Sequence, residues 1–157
     1  MPAICAITAP SPVSYLRLVP NAWAPTAIDL VRQDRGACLR ICPVFAAATP
    51  AETTSQFHVE FRATDAAASP YLALGAVIFA GVDGIRRALP LPALGAAAPS
   101  LPRSLPDALD RLAASETVAS WFGATHLDAY LRFKRVEWEK VAQLSPAELC
   151  TRYAEVY

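Results

Sequence analysis

Gln56-Phe57-His58-Val59-Glu60-Phe61-Arg62-Ala63 decides how the rest of the chain is read. Phe57, Val59 and Phe61 alternate with His58, Glu60 and Arg62. Successive side chains of a strand point to opposite faces, so this period of two puts three apolar groups on one side and three ionisable groups on the other. Residues 37–43 repeat the split, with Leu39 and Ile41 against Cys38, Arg40 and Cys42. Two such strands side by side make a sheet with one packed face and one face carrying Arg40, His58, Glu60 and Arg62. That second face is either a solvated surface with ordinary ion pairs or a floor that binds an anion or a metal.

Upstream, residues 13–19 and 26–32 read as two further strands. Between 26–32 and 37–43 lies Gln33-Asp34-Arg35-Gly36, a polar turn whose glycine accommodates a positive φ. An antiparallel hairpin is expected there. Residues 46–55 are small, polar and proline-containing, and read as a loop. Downstream, the signals are helical. Ser69-Pro70 offers an N-cap and a proline at the first helical position, for a helix to about Leu89. Ser104 with Asp107, Thr125 with Asp128, and Ser145-Pro146-Ala147-Glu148 predict three more starts. The helix after Thr125 is expected to run through Leu144, with Tyr130, Phe133 and Trp138 in the core. Strands over 13–63 followed by helices over 69–153 predict an α+β fold: an antiparallel sheet of about four strands and a helical C-terminal half.

The chain has 157 residues, enough for one domain or part of one. Its 14 basic and 14 acidic residues cancel, which argues against a nucleic-acid partner, since that requires a basic face. Hydrophobic residues make up 54% and charged ones 18%, so the chain has ample apolar surface to bury and is not disordered. It is more apolar than an ordinary soluble domain, as if part of that surface were meant for something beyond the chain. Residues 66–82 carry no charge, but Pro70 and Gly75 interrupt them and Asp83 ends them. They read as a buried helix rather than a membrane span. Cys5, Cys38, Cys42 and Cys150 are scattered, with no zinc-like spacing to His58 or His126. Free thiols in a reducing cytoplasm are expected.

A set of ordered blocks then stands out: Ser14-Tyr15-Leu16-Arg17-Leu18-Val19-Pro20, Trp23-Ala24-Pro25, Asp34-Arg35-Gly36-Ala37-Cys38-Leu39-Arg40, Glu60-Phe61-Arg62-Ala63-Thr64-Asp65, Ser69-Pro70-Tyr71-Leu72-Ala73 and Ala80-Gly81-Val82-Asp83-Gly84-Ile85. With Leu101-Pro102-Arg103-Ser104-Leu105 and the terminal Tyr153-Ala154-Glu155-Val156-Tyr157, they resemble the C-terminal part of the glutamine synthetase catalytic domain. The resemblance covers the chain from about Pro10 onward.

That resemblance implies an ATP-dependent ligase that phosphorylates a glutamate side chain and lets ammonia or an amine displace the phosphate. It implies that Arg17 holds glutamate and that Arg35 faces the transferred phosphoryl group. Arg62 would bind the substrate carboxylate or that phosphoryl group. Arg40 would meet the nucleotide phosphates, with His58 nearby where the family often has arginine. Glu60 would be a ligand of the Mg2+ or Mn2+ nearest the nucleotide. One departure bears on the acceptor. The family's flap commonly reads Gly-Tyr-Glu-Ala-Pro, whereas this chain has Asn21-Ala22-Trp23-Ala24-Pro25. Tryptophan has no basic group to take a proton from ammonium, so a bulkier amine, or a different acid, becomes an alternative. A family enzyme is more than twice as long, with a small N-terminal domain and a first half of the catalytic domain that this sequence lacks. The expectation is an incomplete and inactive chain on its own, completed by that half or by a homologous subunit in an oligomer. The alternative is a non-catalytic half that co-assembles with a full-length homologue, or a gene remnant.

Overall fold

The computed structural model describes residues 2–46, 48–96 and 98–156. A 3-10 turn over Pro2–Ile4 leads into α1 (Cys5–Thr8) and α2 (Ser14–Arg17). Then come β1 (Leu30–Arg32), β2 (Leu39–Ile41), α3 (Pro50–Gln56) and β3 (Val59–Phe61). The rest is helical: α4 (Pro70–Arg86), α5 (Leu105–Ala113), α6 (Glu116–Ala119), α7 (Ala124–Glu139) and α8 (Pro146–Ala154). The fold is α+β, with a small mixed sheet of three strands in the order β1-β2-β3. The antiparallel four-stranded sheet expected from sequence is not formed.

Three local differences explain this. Residues 13–19 contain α2 instead of a strand. Tyr15 and Leu18 are buried while Leu16 and Val19 are exposed, a helical spacing of three and not a strand alternation. The run mixes Ser14 and Arg17 with apolar residues in a pattern too short for its helical period to stand out. Secondly, β1 and β2 run parallel, with Leu30 opposite Leu39 and Arg32 opposite Ile41. Parallel neighbours usually need a long crossover, but three-residue strands are short enough for segment 33–38 to run back. Gln33 opens the return at φ 61°, the left-handed position expected of Gly36. Asp34 Oδ1 accepts the Gly36 amide at 2.7 Å and Asp29 Oδ1 accepts the Cys38 amide at 2.7 Å. Thirdly, residues 50–56 form α3 where a loop was expected. Thr49 Oγ1 accepts the Glu52 amide and Glu52 Oε2 accepts the Thr49 amide at 2.8 Å. Thr49-Pro50-Ala51-Glu52 is the same reciprocal cap as Ser145-Pro146-Ala147-Glu148, which does start α8.

The remaining helix starts agree in position and differ in detail. Ser69 precedes α4 but makes no side-chain cap bond. Ser104 caps α5, while Asp107 turns to the Arg103 amide and the Arg111 guanidinium. α7 begins at Ala124, with Gly123 and not Thr125 at the N-cap, and ends at Glu139 instead of Leu144.

The core forms around the N-terminal segment. Ile4, Cys5, Ala6 and Ile7 pack with Leu101, Leu105, Ala108, Leu109 and Leu112, and with Cys38 and Ala63 beside the sheet. Tyr130 donates its hydroxyl to the Ala6 carbonyl. Tyr130 and Trp138 lie against this core, whereas Phe133 is 67% exposed and does not join it. Burial pushes the Cys5 thiol up to about 11 and the Cys38 thiol up to about 12, so both behave as small apolar groups. No described cysteine is in a disulfide.

The uncharged run does become a helix, α4, but not a buried one. Ala76 alone among its residues is fully covered, and Tyr71, Leu74, Ile78 and Ile85 are exposed along one stripe. A groove of about 490 Å3 separates α4 from the apolar side of the sheet, lined by Leu39, Phe61, Val77, Gly81 and Ile85. Phe57 and Val59, expected on a packed face, are exposed. No helix among the described residues is long and apolar enough to cross a membrane.

Candidate anion-binding site on the sheet

The polar side of the sheet follows from strand pairing. β2 and β3 are antiparallel, and Arg40 stands directly opposite Glu60. Such cross-strand neighbours lie close enough for their side chains to meet. Arg62, two residues beyond Glu60, shares its face. Glu60 Oε2 accepts from Arg40 Nη1 at 3.1 Å and from Arg62 Nη1 at 3.2 Å. The Arg40 guanidinium, with help from Arg62, holds the Glu60 carboxyl below the usual carboxylate range. Cys42, two residues along β2's line from Arg40, is buried next to Glu60, and burial together with that carboxylate pushes its thiol up.

Arg62 also ties down the main chain. Its Nε donates to the Arg35 carbonyl at 3.0 Å and its Nη2 to the Trp23 carbonyl at 3.2 Å. One guanidinium therefore joins the strand, the 33–38 return and the turn around Trp23. The planar fork makes this possible, because its donors diverge in fixed directions. Beside it, a recess of about 390 Å3 is lined by Asn21, Trp23, Ala24 and Gly36.

The sequence-derived candidates thus divide. Arg40, Glu60 and Arg62 come together. Arg35 joins through its carbonyl, with its own side chain exposed. Arg17 Nη2 donates to the Thr64 carbonyl at 2.9 Å, two residues past Arg62, and makes no bond to the cluster. His58 lies outside it as well, its Nδ1 2.8 Å from the Gln56 carbonyl. The Nε atoms of Arg17 and Arg40 are buried without a hydrogen-bond partner. A buried donor left open is costly, which favours an acceptor supplied from elsewhere. The carbonyls of Trp23 and Arg35 had no sequence signal, because any residue type supplies one.

The cluster carries two guanidiniums and one carboxylate, so it is suited to an anion. It does not make a metal site unaided. Among the described residues no three His, Cys, Asp or Glu side chains gather for a metal. Glu60 offers one carboxylate, already shared by two arginines, whereas hard cations take six or more oxygens.

The depressed Glu60 acidity has a consequence for stability. A carboxyl whose folded value lies below its unfolded one stabilises the fold above the ordinary carboxylate range, and that contribution disappears as pH falls through the folded value. Glu52, Glu148 and Asp107 are lowered too, by Thr49, Ser145 and Arg111 respectively. Stability is therefore expected to fall once pH drops below about 4. A urea midpoint titration in acid checks this, and Glu60→Gln should flatten the acid limb. An unchanged limb would separate Glu60 from it.

Comparison with known proteins identifies the family. The family described as glutamine synthetase, catalytic domain, matches residues 1–152. The chain belongs to the glutamine synthetase family. A glutamine synthetase of Methanocaldococcus jannaschii is 33% identical over 153 residues, covering 87% of this chain and 32% of that protein. A gamma-glutamylpolyamine synthetase of Streptomyces coelicolor is 44% identical over 92 residues, covering 59% of this chain and 19% of that protein. A crystal structure described as a novel glutamine synthase homolog superposes with a TM-score of 0.85 at 44% identity. It covers 99% of this chain and 36% of that one. The chain thus spans about a third of the length of the glutamine synthetase it matches.

Proposed function

We propose that this chain is the C-terminal part of the catalytic domain of an ATP-dependent glutamate–amine ligase. The observation that carries the reading is the Arg40–Glu60–Arg62 cluster, held by β2–β3 register in a member of this family. The reaction transfers the γ-phosphoryl group of ATP to a carboxylate oxygen of glutamate and releases ADP. The amine nitrogen then bonds to the acyl carbon as the carbon–oxygen bond to phosphate breaks. Phosphate leaves, and the surplus amine proton goes to solvent. Both steps pass through concentrated negative charge, which fixed guanidiniums stabilise without reorganising.

In this reading Arg62 and Arg35 meet the transferred phosphoryl group, Arg40 and His58 the nucleotide phosphates, and Arg17 the glutamate. The family uses ATP and divalent metals. Glu60 would supply one ligand of Mg2+ or Mn2+, and no step is assigned to the metal from these residues. The acceptor is ammonia or an amine. The polyamine named for the Streptomyces relative and the tryptophan at position 23 both favour an amine.

The apolar stripe of α4 bears on completeness. A helix that is apolar nearly all round belongs in an interior, yet α4 has Ile85 82% exposed and a groove beneath it. We assign this surface to the remaining two thirds of the family fold, supplied in the same polypeptide or by a homologous subunit of an oligomer. Alone, the chain is inactive; a non-catalytic half that co-assembles with a complete homologue would use the same surface. Buried free thiols accord with a reducing cytoplasm.

The test is ADP release that requires both glutamate and an amine, measured on the completed enzyme. Glu60→Gln is expected to raise the Mg2+ concentration for half-maximal rate by at least about tenfold. An unchanged metal titration would remove Glu60 from the metal's ligands. Loss of ADP release on omission of glutamate separates the ligase from a simple ATPase.

A further inference from the structure

We infer that Thr8 is a positioning residue for the reaction: from the buried end of α1 it fixes the main chain of residues 63–65, and through that chain it holds Arg62 and Arg17 in one frame. The inference rests on the ligase reading above, which gives those two arginines their roles, and adds the residue that fixes where they stand.

The chain beyond β3 leaves the sheet while still in the interior. The Arg62 amide donates to the Cys38 carbonyl, just before β2, at 2.8 Å. The next residue, Ala63, is fully buried, and buried backbone groups need partners. Thr8, itself fully buried, supplies two of them. Its hydroxyl donates to the Ala63 carbonyl at 2.6 Å, and its carbonyl accepts the Asp65 amide at 3.1 Å. A residue of a neighbouring parallel strand would hold 63 and 65 in the same way, with an amide where Thr8 uses a hydroxyl. The Thr8 carbonyl is open to this because Thr8 ends α1, and the final carbonyls of a helix have no partner within it.

Between those two bonds lies Thr64, whose carbonyl accepts from Arg17 Nη2 at 2.9 Å. Immediately before them lies Arg62. Thr8 therefore brackets the acceptor of one arginine and adjoins the root of the other. The anchor is firm, since Cys5, Ala6 and Ile7 of the same helix are buried in the core against α5. The hydroxyl's single proton goes to Ala63, because the Ile4 carbonyl one turn back is farther, at 3.3 Å. Valine would fill the same volume, so packing alone does not account for the hydroxyl. All of these bonds lie inside the chain, and the rest of the family fold adds to their burial without replacing their partners. Catalysis by fixed charge is sensitive to such anchors, because a misplacement of about 1 Å costs up to about a hundredfold in rate.

On the completed enzyme, Thr8→Val is expected to lower kcat at least about tenfold and to raise KM for glutamate at least about threefold. KM for ATP should stay within about twofold, because Arg40 is held by the β2–β3 ladder and not by Thr8. Thr8→Ser keeps the hydroxyl and should return kcat to within about threefold of wild type. The deciding readout is a double-mutant cycle. In an Arg62→Ala background, Thr8→Val should lower kcat by no more than about twofold, because the group it acts through is gone. Equal losses in both backgrounds would make Thr8 a purely structural residue and overturn the inference. Hydrogen exchange on the wild type needs no variant: the Asp65 amide should exchange as slowly as the buried amides of α5. Fast exchange at Asp65 overturns the inference even if Thr8→Val does not fold. Wild-type kcat in Thr8→Val beside a slow Arg62→Ala overturns it too, and leaves the ligase reading standing. Normal turnover in Arg62→Ala overturns the role of Arg62 in that reading, and the inference with it.

Discussion

Arg62→Ala is expected to lower kcat of the completed enzyme at least about a hundredfold, the scale seen when one fixed donor to a developing anion is removed. The loss has two parts. The guanidinium would no longer face the phosphoryl group. Its bonds to the Arg35 and Trp23 carbonyls would also go, freeing the two loops that surround the recess. Arg62→Lys separates the parts. It keeps a charge on the same face but cannot reach Glu60 and two carbonyls together. If charge alone matters, lysine restores most of the rate. If the bridging matters, lysine stays slow and KM for the amine rises with it. Circular dichroism should remain native-like in both variants, since Arg62 lies outside the core clusters. Normal turnover in Arg62→Ala would remove the residue from the reaction.

The largest loss of stability is expected from Leu109→Ala, about 3 kcal/mol. Leu109 is 1% exposed, at the middle of α5, where the N-terminal segment and α7 meet the same helix. Truncation leaves a cavity between elements that cannot all move inward together, because α5 is held at its start by the Ser104 cap and by the Asp107–Arg111 pair. The urea midpoint should fall with the slope unchanged. Arg132→Ala, which removes an exposed pair with Asp128, should leave the midpoint where it was. A Leu109→Ala midpoint equal to that of Arg132→Ala would mean that this core is not the stabilising one.

What the sequence made legible followed from strand parity and caps. The alternation over 56–63 put Glu60 and Arg62 on one face, and the matching split over 37–43 added Arg40. Their meeting needed only that the two strands be neighbours. The direction of β1 was not legible, because Gln33-Asp34-Arg35-Gly36 suits a hairpin turn as well as a short return. The turn is decided by Asp29 taking the Cys38 amide, a contact between residues nine apart in sequence. The helix in 13–19 was not legible, because a single turn is too short for its period to stand out among Ser14, Arg17 and the apolar residues around them. The α3 cap was legible and overlooked: Thr49-Pro50-Ala51-Glu52 differs from the Ser145 box by one conservative change. His58 had the parity of the cluster, but its ring nitrogen lies against the Gln56 carbonyl, a local contact that parity does not reveal. The two carbonyls that anchor Arg62 were beyond sequence reasoning altogether.

The burial of segment 4–8 has a consequence for how the chain reaches its fold. Thr8 is tied to Ala63, fifty-five positions away, and Ala6 to Tyr130, one hundred and twenty-four positions away. Loop-closure entropy must be overcome before such contacts give anything back, so a fold that depends on them forms slowly. Segment 4–8 cannot complete its packing until α5 and then α7 have been made, because those partners follow it in the chain. The order of translation makes α7 the bolt that closes this core, since Tyr130 is the last of its residues to reach segment 4–8.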